Sequence, residues 1–181
     1  MTETIAFNEM MVHIPLCTHQ EASNVLVIGT INEEIEKELQ KHAYANIEKG
    51  DVSLINSKDD KDVDVIILTD VEIDEILLAN INRILKDDGL ITFTTSSYCS
   101  NADKLKADLS LVGEKFWIAM PYKFEGNTSI IASKRHHPTA DVNLHRADLL
   151  DDLKYYSAEI HNACFVFPAA QHKELTGIAK R

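Results

Sequence analysis

The chain has 181 residues, 45% of them hydrophobic, which fits one domain with a sizeable core and no need of disulfide staples. Acidic residues outnumber basic ones 29 to 18, for a net charge of −11 with histidine neutral. That balance argues against a general nucleic-acid binder and against electrostatic docking on anionic lipid, both of which need a basic face. It suits the attraction of small cations.

The three cysteines, Cys17, Cys99 and Cys164, lie far apart and form no C-x-x-C pair or His/Cys spacing of a zinc or redox site. No apolar run approaches the roughly 20 residues that span a bilayer. The start, MTETIAFNEMM, lacks the basic residues and long apolar stretch of a signal peptide. A reducing cytoplasm is the expected compartment, and neither a membrane nor a nucleic-acid partner is expected.

In chain order, Val25–Gly29, Val63–Thr69 and Gly89–Thr95 are short, β-branched, nearly continuous apolar runs. They read as strands of a parallel sheet covered on both faces. Between them, Glu33–His42 carries Ile35 and Leu39 four apart, and Glu75–Lys86 places Ile76, Leu77, Ile81, Ile84 and Leu85 on one stripe. Gly89 suits a C-terminal cap for the second of these helices. Ala102–Leu111 reads as a third helix. The stretch Ala43–Ser57 is short: it predicts one or two strands, near residues 46–48 and 52–55, with little room for a helix. Phe116–Met120 and Thr128–Ser133, separated by Pro121 and Gly126, read as an antiparallel pair closing the sheet edge. The alternation of strand and helix predicts an α/β doubly wound domain.

Ligands of open α/β sheets bind beyond the carboxyl ends of the strands. The first strand ends in Gly29-Thr-Ile-Asn-Glu33, where a nucleotide loop normally carries several glycines. Gly29 therefore reads either as an ordinary turn glycine or as the remnant of such a loop. After Thr69 come Asp70, Glu72, Asp74 and Glu75. These carboxylates suit proton transfer or cation binding, or equally the capping and dipole of the next helix. His136 and His137 are adjacent, so their side chains point apart, and no metal site is expected there. Trp117, inside an apolar run, is expected in the core.

Three stretches resemble one family, the spermidine synthases or polyamine aminopropyltransferases. Phe7–Leu16 (FNEMMVHIPL), followed by the strand at Val25, is similar to the family's Tyr-His-Glu-Met segment and cofactor strand. Ile130–Lys134 resembles a late strand of its catalytic domain, and Leu153–Pro168 (LKYYSAEIHNACFVFP) is similar to its C-terminal signature. The resemblance implies a Rossmann-like doubly wound sheet of the S-adenosylmethionine-methyltransferase type, with an antiparallel C-terminal strand pair. It covers residues 1–181 as one methyltransferase-like domain, and the family's small N-terminal β-strand domain is expected to be absent.

The resemblance implies transfer of an aminopropyl group from the co-substrate decarboxylated S-adenosylmethionine to putrescine, giving spermidine and methylthioadenosine. No other cofactor and no metal are implied, and the assembly is expected to be a homodimer. On the matching positions, Asp70 stands one residue after Thr69, which occupies the place of the family's catalytic aspartate, and is the expected proton acceptor. Glu9, Glu72 and Tyr122 are the expected contacts of the amine substrate. Gly29, Asn32 and Glu48 are the expected contacts of the nucleoside donor, with Asn32 where the family's glycine loop carries an acid. The Tyr-His pair of the first segment is replaced by Phe7 and Asn8. An alternative is a catalytically inactive relative that binds a nucleoside or a partner; a methyltransferase ranks below both, since no motif for a methyl acceptor is present.

Overall fold

The computed structural model describes residues 4–181. Its centre is a six-stranded sheet. Strands β1 (Asn24–Gly29), β2 (Asn46–Gly50), β3 (Val63–Thr69) and β4 (Leu85–Thr95) run parallel, and β5 (Ile118–Phe124) and β6 (Asn127–Ser133) close one side antiparallel, in the order β2-β1-β3-β4-β6-β5. The apolar continuity of β1 and β3 has its reason in the layers. Val25, Val27, Val65 and Ile67 pack on one face, against helices α1 (Ile5–Thr18) and α2 (Glu33–Gln40). Leu26, Ile28, Ile66 and Leu68 pack on the other, against α4 (Glu75–Ile84), α5 (Tyr98–Gly113) and the C-terminal helix at Ala169–Leu175. The doubly wound sheet expected from the strand–helix alternation is thus present. Among the described residues no helix is long and apolar enough to cross a membrane.

Five local expectations are corrected. Residues 52–55 form no strand. Asp51 accepts the Ser53 backbone N–H at 2.8 Å and caps the short helix α3 (Val52–Ser57), because an aspartate oxygen satisfies a free first-turn donor. Gly89 caps no helix: α4 ends at Ile84, and Leu85 already pairs with Val63 as the first residue of β4. Helix α5 begins before Ala102, kinked at Asn101, whose Oδ1 accepts the Lys104 N–H at 3.0 Å and restarts the helix. Trp117 is 82% exposed, since Phe116 takes the inward place beside it. Strand β5 also runs straight through Pro121, which an edge strand tolerates.

Helix α1 is buried from Ala6 to Thr18 on every side, so its polar side chains need internal partners. His13 Nε2 lies 2.8 Å from the Glu38 carboxylate, His13 Nδ1 lies 2.8 Å from His42 Nε2, and His42 Nδ1 lies 3.0 Å from the Tyr44 hydroxyl. A carboxylate only accepts, so with neutral rings each donor in this row is fixed in turn: His13 Nε2, His42 Nε2 and the Tyr44 O–H. Near the C-terminus His161 lies between Tyr156 Oη and the Pro138 carbonyl, both at 2.8 Å.

Burial holds His42 at a pKa of about 3 and His161 at about 4, against an ordinary 6.5, and also lowers that of His13. A pKa depressed by folding contributes stability that is complete above pH 6.5 and is lost as the unfolded chain takes up protons below it. At pH 5.5 each such histidine costs about 1.4 kcal/mol. We expect the loss from His42 and His161 to lower Tm by about 6–12 °C between pH 7.5 and pH 5.5. Thermal melts across that range test this, and a flat profile would mean that the buried rings protonate in the folded protein.

Candidate active site

The strand order reverses between β1 and β3, since β2 lies outside β1 and β4 outside β3. The loops leaving these two strands diverge there, which is where an α/β sheet opens a ligand crevice. In this chain the two strand ends are drawn together. Gly29 has φ +114°, and a Cβ on it would stand 1.8 Å from the Thr69 carbonyl oxygen. Thr69 Oγ1 also donates to the Thr30 carbonyl at 2.6 Å. Asn32 then starts α2: its Oδ1 accepts the Ile35 N–H at 2.8 Å, and its Nδ2 donates to Asn8 Oδ1 at 3.2 Å. The first turn of α2 carries Glu33, Glu34 and Glu36. Three carboxylates there repel a phosphate that a helix N-terminus otherwise attracts, so the edge suits a neutral or cationic ligand.

A cleft of about 310 Å³ opens beside this suture, over the carboxyl ends of β3 and β4, bounded by Asp70, Glu72, Phe93, Thr95, Lys104 and Asp108. Asp70 follows the last residue of β3 with φ +55°. A left-handed non-glycine residue is uncommon, and Asp is among the types that accept it. The turn breaks the strand's side-to-side alternation and lets Asp70 line the cleft. Asp108, buried on α5, accepts the Thr95 hydroxyl at 2.5 Å and pairs with Lys104 at 3.1 Å. The Lys104 ammonium lies 3.7 Å from Glu72. With Asp70 also on its wall, the cleft carries three carboxylates against one ammonium and is negative.

The structure brings Asp70 and Glu72 together, and Gly29 is one residue away from Asp70 across the β1–β3 ladder. The other expected contacts lie elsewhere. Glu9, 2% exposed, accepts three backbone N–H groups, from Lys154 at 2.9 Å, Tyr155 at 2.8 Å and Tyr156 at 2.7 Å. It ties α1 to the C-terminal segment and borders a separate groove between α1, α2 and residues 152–154. Tyr122 is fully buried on β5, with its hydroxyl 2.7 Å from Thr92 Oγ1 and its ring stacked on Phe124. Both were expected to touch an amine substrate, and burial removes them from the cleft. Asn32 is engaged as a helix cap. Glu48 pairs with Lys58 and stands opposite Leu26, short of the strand edge, where Asp51 follows Gly50. Sequence reasoning missed Lys104 and Asp108. Their i,i+4 spacing on a helix was the available signal, but nothing local shows that α5 lays that pair against the β3 loop.

Residues 4–75 match the family described as the spermine/spermidine synthase domain. The polyamine aminopropyltransferase of Bacillus mycoides (strain KBAB4) is 26% identical over 213 aligned positions, spanning 92% of this chain and 77% of that protein. That of Helicobacter pylori (strain G27) is 24% identical over 191 positions, 89% of this chain and 73% of the relative. The crystal structure of spermidine synthase from Thermotoga maritima superimposes with a TM-score of 0.85 at 22% identity, covering 97% of this chain and 76% of that one. The resemblance carried by the sequence motifs is therefore borne out over most of the chain, and the fold is that of the spermidine synthases.

Two substitutions test the assignments at this edge. Gly29→Ala puts a methyl group into the Thr69 carbonyl at a φ that only glycine adopts freely. It is expected to cost about 3 kcal/mol or more, a fall in Tm of roughly 10 °C; an unchanged melt would show that the strand ends are not joined in solution. Glu9→Gln replaces a charged acceptor with an amide that cannot accept at both ends, and is expected to cost about 2–3 kcal/mol by denaturant unfolding. Unaltered stability would return Glu9 to a role in binding.

Proposed function

Proceeding from the likeness to the spermidine synthases, we propose that this chain is an aminopropyltransferase that moves an aminopropyl group from decarboxylated S-adenosylmethionine to putrescine. The reading takes residues 1–181 as one catalytic unit, working as a cytoplasmic homodimer. The observation that carries it is Asp70, turned into an acidic cleft at the carboxyl end of β3 beside Glu72 and Asp108.

The chemistry is displacement at the carbon next to a sulfonium. The lone pair of the attacking amine forms the new C–N bond while the C–S bond breaks, and its electrons return to sulfur, which leaves as the neutral thioether of methylthioadenosine. The positive charge passes to nitrogen, which then releases a proton to Asp70. A free alkylamine resembles lysine, with a pKa of about 10.4, so the cleft must supply the neutral form. Phe93 and Ile73 give the apolar wall that disfavours the ammonium. Glu72 holds the distal ammonium of the acceptor. Lys104, already held by Asp108 and near Glu72, limits how much further positive charge the cleft accepts. On the donor side Gly29, at the strand end beside the cleft, meets the nucleoside, whereas Asn32 and Glu48 join it only by giving up the α2 cap and the Lys58 pair that hold them.

A second reading, a nucleoside-binding or partner-binding protein without catalysis, is favoured by Thr69. Its hydroxyl is used on the Thr30 carbonyl, in a place where the resemblance expects a catalytic acid. Calorimetry with decarboxylated S-adenosylmethionine and methylthioadenosine, followed by a search for spermidine when putrescine is added, separates the two. Binding with product is the expected outcome, and Asp70→Asn should then lower turnover at least about tenfold while leaving donor affinity in place. Binding without product supports the second reading in its nucleoside-binding form, and no binding at millimolar ligand removes the enzyme and leaves only the partner-binding form.

A further inference from the structure

At the opposite end of the sheet from the cleft, three side chains from distant parts of the chain converge. His19 caps the C-terminus of α1, Asp88 lies in the irregular start of β4, and His136 follows β6. One ligand atom from each lies within 4.8 Å of the other two. The two imidazole Nε2 atoms are buried and have no hydrogen-bond partner. Both instead face the Asp88 carboxylate from 3.8 Å, one towards each oxygen, a separation too long for a hydrogen bond. The residues as a whole are 1% and 9% exposed, so water does not readily serve both nitrogens.

We propose that His19, Asp88 and His136 form a binding site for a borderline divalent transition-metal ion of the zinc type, which ties the end of α1 to the start of β4 and to the segment after β6. Two nitrogens and one carboxylate oxygen suit zinc, cobalt or nickel. Magnesium and calcium, which demand oxygen ligands, are disfavoured. Ligand bonds of about 2.0–2.2 Å place neighbouring donors about 3.4 Å apart in a tetrahedron, so closing on the ion shortens the 3.8 Å gaps, one to each Asp88 oxygen, by under half an ångström and requires at most about 1.4 Å of the remaining donor pairs, which lie within 4.8 Å. Asp88 is partly exposed and leaves a side open to solvent for a water ligand.

Charge and protonation are compatible with this use. Burial, with His136 alongside, lowers the His19 pKa to about 4, so at neutral pH the ring is uncharged and ready to ligate. Arg146 holds the backbone at His19 in place, donating to the His19 carbonyl at 2.7 Å and to the Gln20 carbonyl at 2.8 Å. His19 Nδ1 now accepts the Glu21 N–H at 3.1 Å, so the ring proton sits on Nε2. Metal binding moves that proton to Nδ1, and the Glu21 N–H, on an exposed residue, turns to water.

The test uses the full chain without a histidine tag, stripped with a chelator and titrated with Co²⁺ by visible absorption and with Zn²⁺ by calorimetry. The expected result is one equivalent bound with a Kd of micromolar or below, tetrahedral d–d bands for Co²⁺, and a Tm raised by Zn²⁺. Asp88→Asn and His136→Gln should each weaken binding at least tenfold, whereas His172→Gln, at an exposed site, should not change it. No binding at millimolar metal overturns the proposal, as does binding unchanged in both site variants. If His136→Gln fails to fold, Asp88→Asn decides alone, because the Asp88 side chain is partly exposed in the irregular start of β4.

Discussion

Helix α1 is enclosed on all sides, yet it carries Asn8, Glu9, His13 and Thr18. A buried polar group without a partner costs about 1–3 kcal/mol, so this one helix obliges its surroundings to answer it. Asn8 receives Asn32 from the turn after β1, and Glu9 receives three N–H groups of residues 154–156. His13 receives Glu38 and His42, and Thr18 Oγ1 returns to the Ile14 carbonyl at 2.7 Å. The first strand turn, α2 and the C-terminal segment are thereby fixed relative to one another. The position of the cleft depends on this, because the β1 turn that α1 holds through Asn32 is the one packed against Thr69.

The same constraint explains why residues that look chemical in the sequence are structural in the fold. A carboxylate that accepts three backbone N–H groups has few lone pairs left for a ligand, and a tyrosine hydroxyl held by Thr92 inside stacked rings has no solvent face. Burial decides such roles, and burial is a property of the assembled layers. Conversely Lys104 and Asp108, ordinary on a helical wheel, gain their place from the packing of α5 beside β4.

The two ends of the sheet differ in electrostatic character. At the carboxyl end, acids face an open cleft with one lysine among them, and the N-terminus of α2 adds three more. Such a surface draws cations and turns phosphates away. At the opposite end, two imidazoles and one carboxylate converge where the chain must join α1, β4 and the segment after β6. The acids of the first end are solvated enough to exchange ligands, while the histidines of the second are shut in. The first arrangement suits a substrate and the second a resident ion.

The sequence by itself determined the layered α/β sheet, since the apolar runs at Val25 and Val63 are too short for buried helices, are β-branched, and alternate with amphipathic helical stretches that cover both faces. It also placed Asp70 and Glu72 at a strand's carboxyl end, because strand ends follow directly from where the apolar run stops. It misread residues 52–55, Gly89 and Trp117, where Asp51 as a cap, Leu85 as a strand partner and Phe116 as the inward residue outweighed local pattern. Only the tertiary structure decided that Glu9 and Tyr122 are enclosed, that Asp70 adopts a left-handed turn into the cleft, and that His19 meets His136 across 117 positions of sequence. Those outcomes rest on contacts between distant segments, whose partners a local pattern of residues does not specify.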